Sequence, residues 1–376
     1  MVCPLPTVTF CAHNALQLDV PGSPKDFRMR VATTVPQDDL RQTAAAARRA
    51  EAAGFDSLIT FENRNEPFLA HAVAATTTDR IELGTAVAIA FPRSPMVVAN
   101  ASWDLQVASR GRFVLGLGPQ IRPHNEKRFS VPWTAPAPRM RDYVGALRAI
   151  WTAWEKGTKL DYHGTHYTFT LMTPNFVPPS HHLRMVPITL AAVGEHTLRL
   201  AGEVADGVRL HSFCTRRYLE EVVLLRLNEG LARKDRNRAQ LEISGGGFVA
   251  TGADSAAVAK AVEFVRARIA FYGSTPAYWP VLELHGLGDL GRKLNAMSKQ
   301  GQWAEMTASI ADDVVQLFAA VGTHREIAGE VAKRFGGLVD TIYASATPTM
   351  PSDLPSDVLQ DIQRLSTPFT GYATPW

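Results

Sequence analysis

The chain has 376 residues, 46% of them hydrophobic and 20% charged, with 39 Lys and Arg against 36 Asp and Glu. That is globular composition with enough apolar material for one large core. A net charge of +3, interleaved in sign and without a basic stripe carrying aromatics, argues against nucleic acid as a partner. No apolar run is long enough for a bilayer, so no membrane span is expected. The first residues, MVCPLPTVTFCAHNALQLDV, lack the basic leader and continuous apolar stretch of a secretion signal. Cys3, Cys11 and Cys214 are too few and scattered for a disulfide framework or a zinc site, which suits a reducing, cytoplasmic setting.

Residues 1–28 hold several prolines and no periodicity, and read as an N-terminal extension. MRVATTVP, from Met29, is a first strand. LRQTAAAARRAEAAG follows Asp38 and Asp39 and stops at Gly54, with ordinary helix signals at both ends. FDSLITF is the second strand; it delivers Glu62, Asn63 and Arg64 to a loop, and Pro67 opens the second helix. IELGTAVAIA and RFVLGLG are strands three and four, flanking a helical VVANASWDLQVAS. Such apolar runs without alternation suit strands buried on both faces of a parallel sheet. A long polar stretch, PQIRPHNEKRFSVPWTAPAP, follows strand four; loops of that length are functional or mobile.

RMRDYVGALRAIWTAWEKG is the fourth helix, with Tyr143, Trp151 and Trp154 at core spacing. An insertion covers about 158–185. PITLAAV is strand five, GEHTLRLAGEVADG a helix, and VRLHSF strand six. The segment 218–236 is the sixth helix, EISGGGFVATG strand seven, and 255–272 the seventh helix. A second insertion covers about 273–320. THREIAGEVAKRFG is a further helix, GLVDTIYAS the eighth strand, and SDLPSDVLQDIQRL a last helix. Eight strands alternating with helices predict a (β/α)8 TIM barrel with insertions after strands 4 and 7, as one domain over 29–376. Chemistry in that fold gathers at the carboxyl ends of the strands.

Several stretches resemble the bacterial luciferase-like monooxygenase superfamily of flavin- and deazaflavin-dependent oxidoreductases. They are the AAEAAGFDSL-type residues of 47–58, TDRIELGTAVAIAFPRSPMVVA, SRGRFVLGLG and RLAGEVADGV. PRMRDYVGALRAIW, TLAAVGEHTLRLAGEVADG and IAFYGSTPAYWPVLELHGLGDL resemble an actinobacterial branch assigned to coenzyme F420, an 8-hydroxy-5-deazaflavin. The resemblance covers 29 to about 345. It implies that the cofactor ring lies over strand three, where relatives carry a non-prolyl cis peptide; the matching residues are Ala86 and Val87, after Thr85. It also implies cofactor contacts at Val193, Gly194, Glu195 and His196, where a helix start offers backbone N–H groups to a phosphate. Gln120 and His124, after strand four, are further candidates for the ring or its side chain.

Glu62 and Asn63 stand where deazaflavin dehydrogenases of this fold carry an Asp-His pair. Asn63 has no titratable proton near neutral pH and cannot replace a catalytic histidine. A general-acid Glu of that subgroup is also missing from PQIRP. Glu62 and His211 are left as the proton-transfer candidates, since histidine titrates near pH 7, although each residue type is more often structural.

Other motifs carry less. GLGDLG at 286–291 matches the dinucleotide fingerprint, but a helical, polar stretch follows it instead of a second strand. His163, His166, His181 and His182 lack the spacing of a metal site, and no metal is expected. The glycines at 245–247 lack the Lys-Ser/Thr of a phosphate loop, and no G-x-S-x-G elbow occurs. The leading expectation is hydride transfer between coenzyme F420 and a small organic substrate. The alternatives are an FMN-dependent monooxygenase fed by a separate reductase, and a cofactor-free barrel. Small, weakly charged faces on the early helices predict a homodimer.

Overall fold

A computed structural model of the chain describes residues 27–344 and 351–376; of the expected extension, 1–26 lie outside the described residues. Eight parallel strands close into a barrel: β1 Arg30–Thr34, β2 Ser57–Thr60, β3 Glu82–Thr85, β4 Phe113–Gly118, β5 Ile188–Ala192, β6 Gly207–Leu210, β7 Glu242–Gly245 and β8 Thr341–Tyr343. Each pairs with the next, and β8 pairs with β1, as Arg30↔Thr341. Leu, Ile, Val and Ala fill these strands because both faces are covered.

The barrel helices are α1 Leu40–Ala53, α2 Leu69–Ala75, α3 Pro95–Ala108, α4 Pro136–Lys156, α5 Glu195–Val204, α6 Leu224–Ala232, α7 Ile327–Phe335 and, after β8, α8 Ser356–Gln363. Asp39 caps α1 by accepting from Arg41 N, and Gly54 ends it at φ 98°. Tyr143, Trp151 and Trp154 on α4 are buried in the main core.

The expected seventh strand and helix are corrected. EISGGGFVATG is two strands, because Gly245 and Gly246 take φ of 85° and 81° and turn the chain out of the barrel. Phe248–Gly252 then pairs in parallel with Ala319–Thr323 as a separate two-stranded sheet. The excursion therefore spans 248–323, and the helix Ser255–Gly273 belongs to it; α7 is the helix that leads back to β8. GLGDLG runs from the turn after the helix Trp279–Glu283 into the first turn of the helix Gly288–Lys299, so a helix and not a strand precedes it. The insertion at 158–185 forms a small hairpin, Tyr162–His163 with Thr168–Phe169.

The barrel floor is ionic. Arg30, Glu82 and Glu242, the first residues of β1, β3 and β7, meet inside it, with Arg30 2.8 Å from Glu82 and 3.4 Å from Glu242. Thr341 donates to Glu242 at 2.6 Å, and Tyr372 of the C-terminal tail donates to its other oxygen. One level up, Arg209 donates to Thr189 at 3.1 Å and Ser244 at 3.0 Å. Burial opposes the charge on Glu242, but Arg209 and Arg30 hold its carboxyl below the ordinary range. The floor is closed, so access to the barrel is from the carboxyl ends of the strands. Among the described residues no helix is long and apolar enough to cross a membrane.

Candidate functional site

The mouth is built first by glycines. Beyond Thr85 the ladder breaks, and Ala88–Ile89 resumes it against Leu117 and Gly118 of β4. The peptide between them, Ala86–Val87, is cis. This bulge presses onto β4: a Cβ on Gly116 would lie 1.8 Å from Thr85 O, and one on Gly118 2.7 Å from Val87 Cγ2. Gly116 is therefore required by close backbone approach, and Gly118 makes room for the Val87 and Ala191 side chains. Thr85 Oγ1 donates to Gly116 O at 2.6 Å and accepts from Gly116 N at 2.9 Å. That side chain holds the bulge and is not free for a ligand. Ala86 and Val87 are part-exposed at the rim.

Glu62, at the end of β2, is fixed. It accepts from Ile89 N at 2.6 Å, and Arg93 Nη1 reaches its two oxygens at 2.9 and 2.7 Å. Both oxygens accept from donors, one of them a cation. It is a positioning group for the resumed strand. Arg93, missed by sequence reasoning, lies 31 residues away and carried no local signal. Asn63 is exposed, and its backbone carbonyl accepts from Arg128 Nη2 at 2.6 Å, tying the loop after β2 to the loop after β4. In that second loop Gln120 sits at φ 58° and its Oε1 accepts from Ile121 N at 2.9 Å. His124 is exposed where a π-helical turn begins.

At the end of β5, Gly194 caps α5 with φ −90° and ψ 160°, and a Cβ there would meet nothing within 4 Å. Packing alone does not require glycine. Among the described residues the N–H groups of Glu195 and His196 have no acceptor, as expected of a helix start. The side chains turn elsewhere: Glu195 pairs with Arg199 and Arg226, both at 3.0 Å, and His196 lines a groove on the barrel flank. Val193 is exposed at the rim. That flank groove, about 1540 Å³, lies between α4, α5 and the tail. Its charges are largely paired, as Arg141 with Glu203 and Arg148 with Asp206, and it is away from the carboxyl face where barrels do chemistry.

His211 follows β6, on the same face of the strand as Arg209 two residues earlier. Its ring packs against Tyr272, centroids 4.3 Å apart, and Tyr278, 4.6 Å apart. Both tyrosines come from the excursion, a contact the sequence did not signal. Nδ1 accepts from Phe213 N at 2.9 Å, which fixes the proton on Nε2. Nε2 has no hydrogen-bond partner among the described residues. Burial, reinforced by the charge of Arg268, pushes the imidazole down to about 4. His211 is thus a neutral N–H donor at the mouth, not an imidazolium acid.

The expected positions follow one another at the ends of β2, β3, β4 and β5, with His211 next on β6, but the Thr85 side chain is held by Gly116 and those of Glu195 and His196 turn to the flank. Elsewhere, His163 pairs with Asp161 at 3.0 Å, and His181 and His182 flank Glu155 at 3.7 and 3.4 Å. Among the described residues no three His, Cys, Asp or Glu side chains form a group that could hold a metal.

The closed parallel barrel with helices around it is a (β/α)8 TIM barrel, with a glycine-walled bulge at its mouth. The chain belongs to the luciferase-like monooxygenase family, whose profile matches residues 25–341. It is 49% identical over 315 residues to an uncharacterized protein of Mycobacterium tuberculosis, covering 84% of this chain and 92% of that one. It is 29% identical over 286 residues to a 5,10-methylenetetrahydromethanopterin reductase of Archaeoglobus fulgidus, covering 74% and 81%. Its fold matches the coenzyme F420 dependent tetrahydromethanopterin reductase of Methanopyrus kandleri with a TM-score of 0.71 at 17% identity, over 90% of this chain and 98% of that one.

Proposed function

We propose that this chain is an oxidoreductase that moves a hydride between coenzyme F420 and a small organic substrate, at a carbon bearing oxygen. The observation that carries the reading is His211: a neutral donor, fixed in tautomer, at a mouth where Glu62 is bound to Ile89 N and Arg93. Such a site suits chemistry in which a cofactor supplies the redox step and the protein positions and polarises. The residues fit the cofactor. Ala86 and Val87 offer an apolar surface for a flat ring, the open space at Gly194 with the N–H groups of Glu195 and His196 suits a phosphate, and Asn63, Gln120 and His124 border it. The relatedness to a methylenetetrahydromethanopterin reductase supports the same assignment.

Bound there, the deazaflavin would supply or accept the hydride. The chain's own part begins with the substrate oxygen, whose negative charge grows as its carbon is reduced. His211 Nε2–H donates to that oxygen, and Tyr272 and Tyr278 hold the ring in place. The imidazole keeps its proton, so the proton that completes the product comes from water. Glu62 and Arg93 act as positioning residues that keep the resumed third strand in register.

The family description and the apolar rim of Ala86, Val87 and Val193 favour one second reading, an FMN-dependent monooxygenase. Anaerobic turnover separates the two. Reduced F420 with a panel of small ketones and aldehydes should be oxidised without oxygen. Product formation only with reduced FMN and oxygen would replace the proposal by the second reading.

A further inference from the structure

The excursion, the segment after β6 and α7 border a second, open pocket of about 380 Å³. Four cations line it: Arg216, Arg217, Lys333 and Arg334. Three have carboxylates of their own, Arg216 with Glu220 at 2.9 Å, Arg217 with Glu221 at 2.8 Å and Lys333 with Glu330 at 2.6 Å. Arg334 has none among the described residues, although it is only 6% exposed. Its Nη2 donates to the carbonyls of Cys214 at 2.5 Å and Gly246 at 3.0 Å. Nε and Nη1 are buried without an acceptor among the described residues. Burial lowers its pKa to about 10. A buried cation without a counter-charge is strongly unfavourable, and a neutral side-chain amide could satisfy the same two carbonyls.

We infer that this cavity binds a small oxyanion, a carboxylate or phosphate group, with Arg334 as its counter-charge. The volume lies within the range of small-molecule sites. The neighbouring cations are already neutralised, so they add donors without adding net charge, and Glu220 and Glu330 in the wall select against a highly charged ligand. Thr215, whose hydroxyl lies 2.8 Å from His285 Nε2, adds a polar edge. The inference uses only this chain's residues and stands whichever cofactor the mouth takes.

The test is calorimetry and thermal unfolding of the full chain with inorganic phosphate or acetate, against chloride at equal ionic strength. The wild type should bind one equivalent of one of these anions, and which one identifies the group. At about a hundredfold excess over Kd the melting temperature should rise by about 3–5 °C. Arg334→Met should abolish binding, with some loss of anion-free stability because the carbonyls of Cys214 and Gly246 lose their donor. Lys333→Ala, at an exposed side chain, should fold normally and weaken binding several-fold, so it decides the matter if the first variant does not fold. No saturable binding of either anion, or binding by both variants equal to the wild type, would overturn the inference.

Discussion

Replacing His211 by Asn removes the Nε2–H donor while Oδ1 can still accept from Phe213 N, so the turn after β6 is kept. With a pKa pushed down to about 4, about one molecule in a thousand carries an imidazolium at pH 7. A group so rarely protonated cannot serve as the acid in most turnovers; its contribution is a hydrogen bond to developing charge. Losing a donor of that kind slows kcat by about a hundredfold to a thousandfold. Long-range nitrogen–proton NMR of labelled imidazole rings reads both tautomer and titration. The expected spectrum is the Nε2–H form, unchanged from about pH 8 down to about pH 5.5. The rate profile of the wild type should show no inflection in that window from this residue. An imidazole titrating near its ordinary value, or an Asn variant with the wild-type rate, would refute the reasoning.

Gly194→Val should weaken cofactor binding at least tenfold in a fluorescence titration, with stability within about 1 kcal/mol of wild type, since its Cβ meets nothing. Gly116→Ala should destabilise by about 3 kcal/mol or more in urea unfolding, because its Cβ would overlap Thr85 O. Arg93→Ala should cost about 3 kcal/mol by stranding the largely buried Glu62 carboxylate. His71 is fully buried, and burial pushes it down to about 4, against a hydrogen bond to Gly84 O that favours its charged form. Only the unfolded chain takes up that proton near pH 6.5. The stability is therefore complete above that pH and falls by about 3 kcal/mol as pH drops toward 4; His71→Gln should flatten that slope in urea midpoints. Leu40, Leu69, Val97 and Val107 leave apolar side chains exposed on the first three barrel helices, and light scattering should return twice the chain mass of 41.1 kDa.

The strands through β6 were legible because each is an apolar run closed by turn residues, and Val, Leu and Ile there have both faces covered. The seventh was misread because EISGGGFVATG looks continuous until Gly245 and Gly246 adopt positive φ. The bulge residues Ala86 and Val87 were legible only through resemblance, whereas the reason for Gly116 beside them is a backbone distance no composition expresses. Glu62 and His211 were marked as chemical residues, but their states depend on distant partners. Arg93 neutralises one, and Tyr272 and Tyr278 pack against the other from an insertion 61 and 67 residues further on. Arg209 could have been noticed, as a charge inside the apolar run VRL two residues before His211; only a buried counter-charge tolerates it there, and Glu242 is that group at 3.7 Å. Tyr372 reaching into the barrel floor had no local signal.

The central claim is that the arc from Glu62 to His211 holds a deazaflavin. Equilibrium titration of the purified chain with F420 and with FMN, under one buffer and followed by cofactor fluorescence, tests it most directly. The account predicts saturable one-to-one binding of F420, tighter than FMN, and lost in Gly194→Val. Tighter binding of FMN, or F420 binding untouched by that substitution, would contradict it.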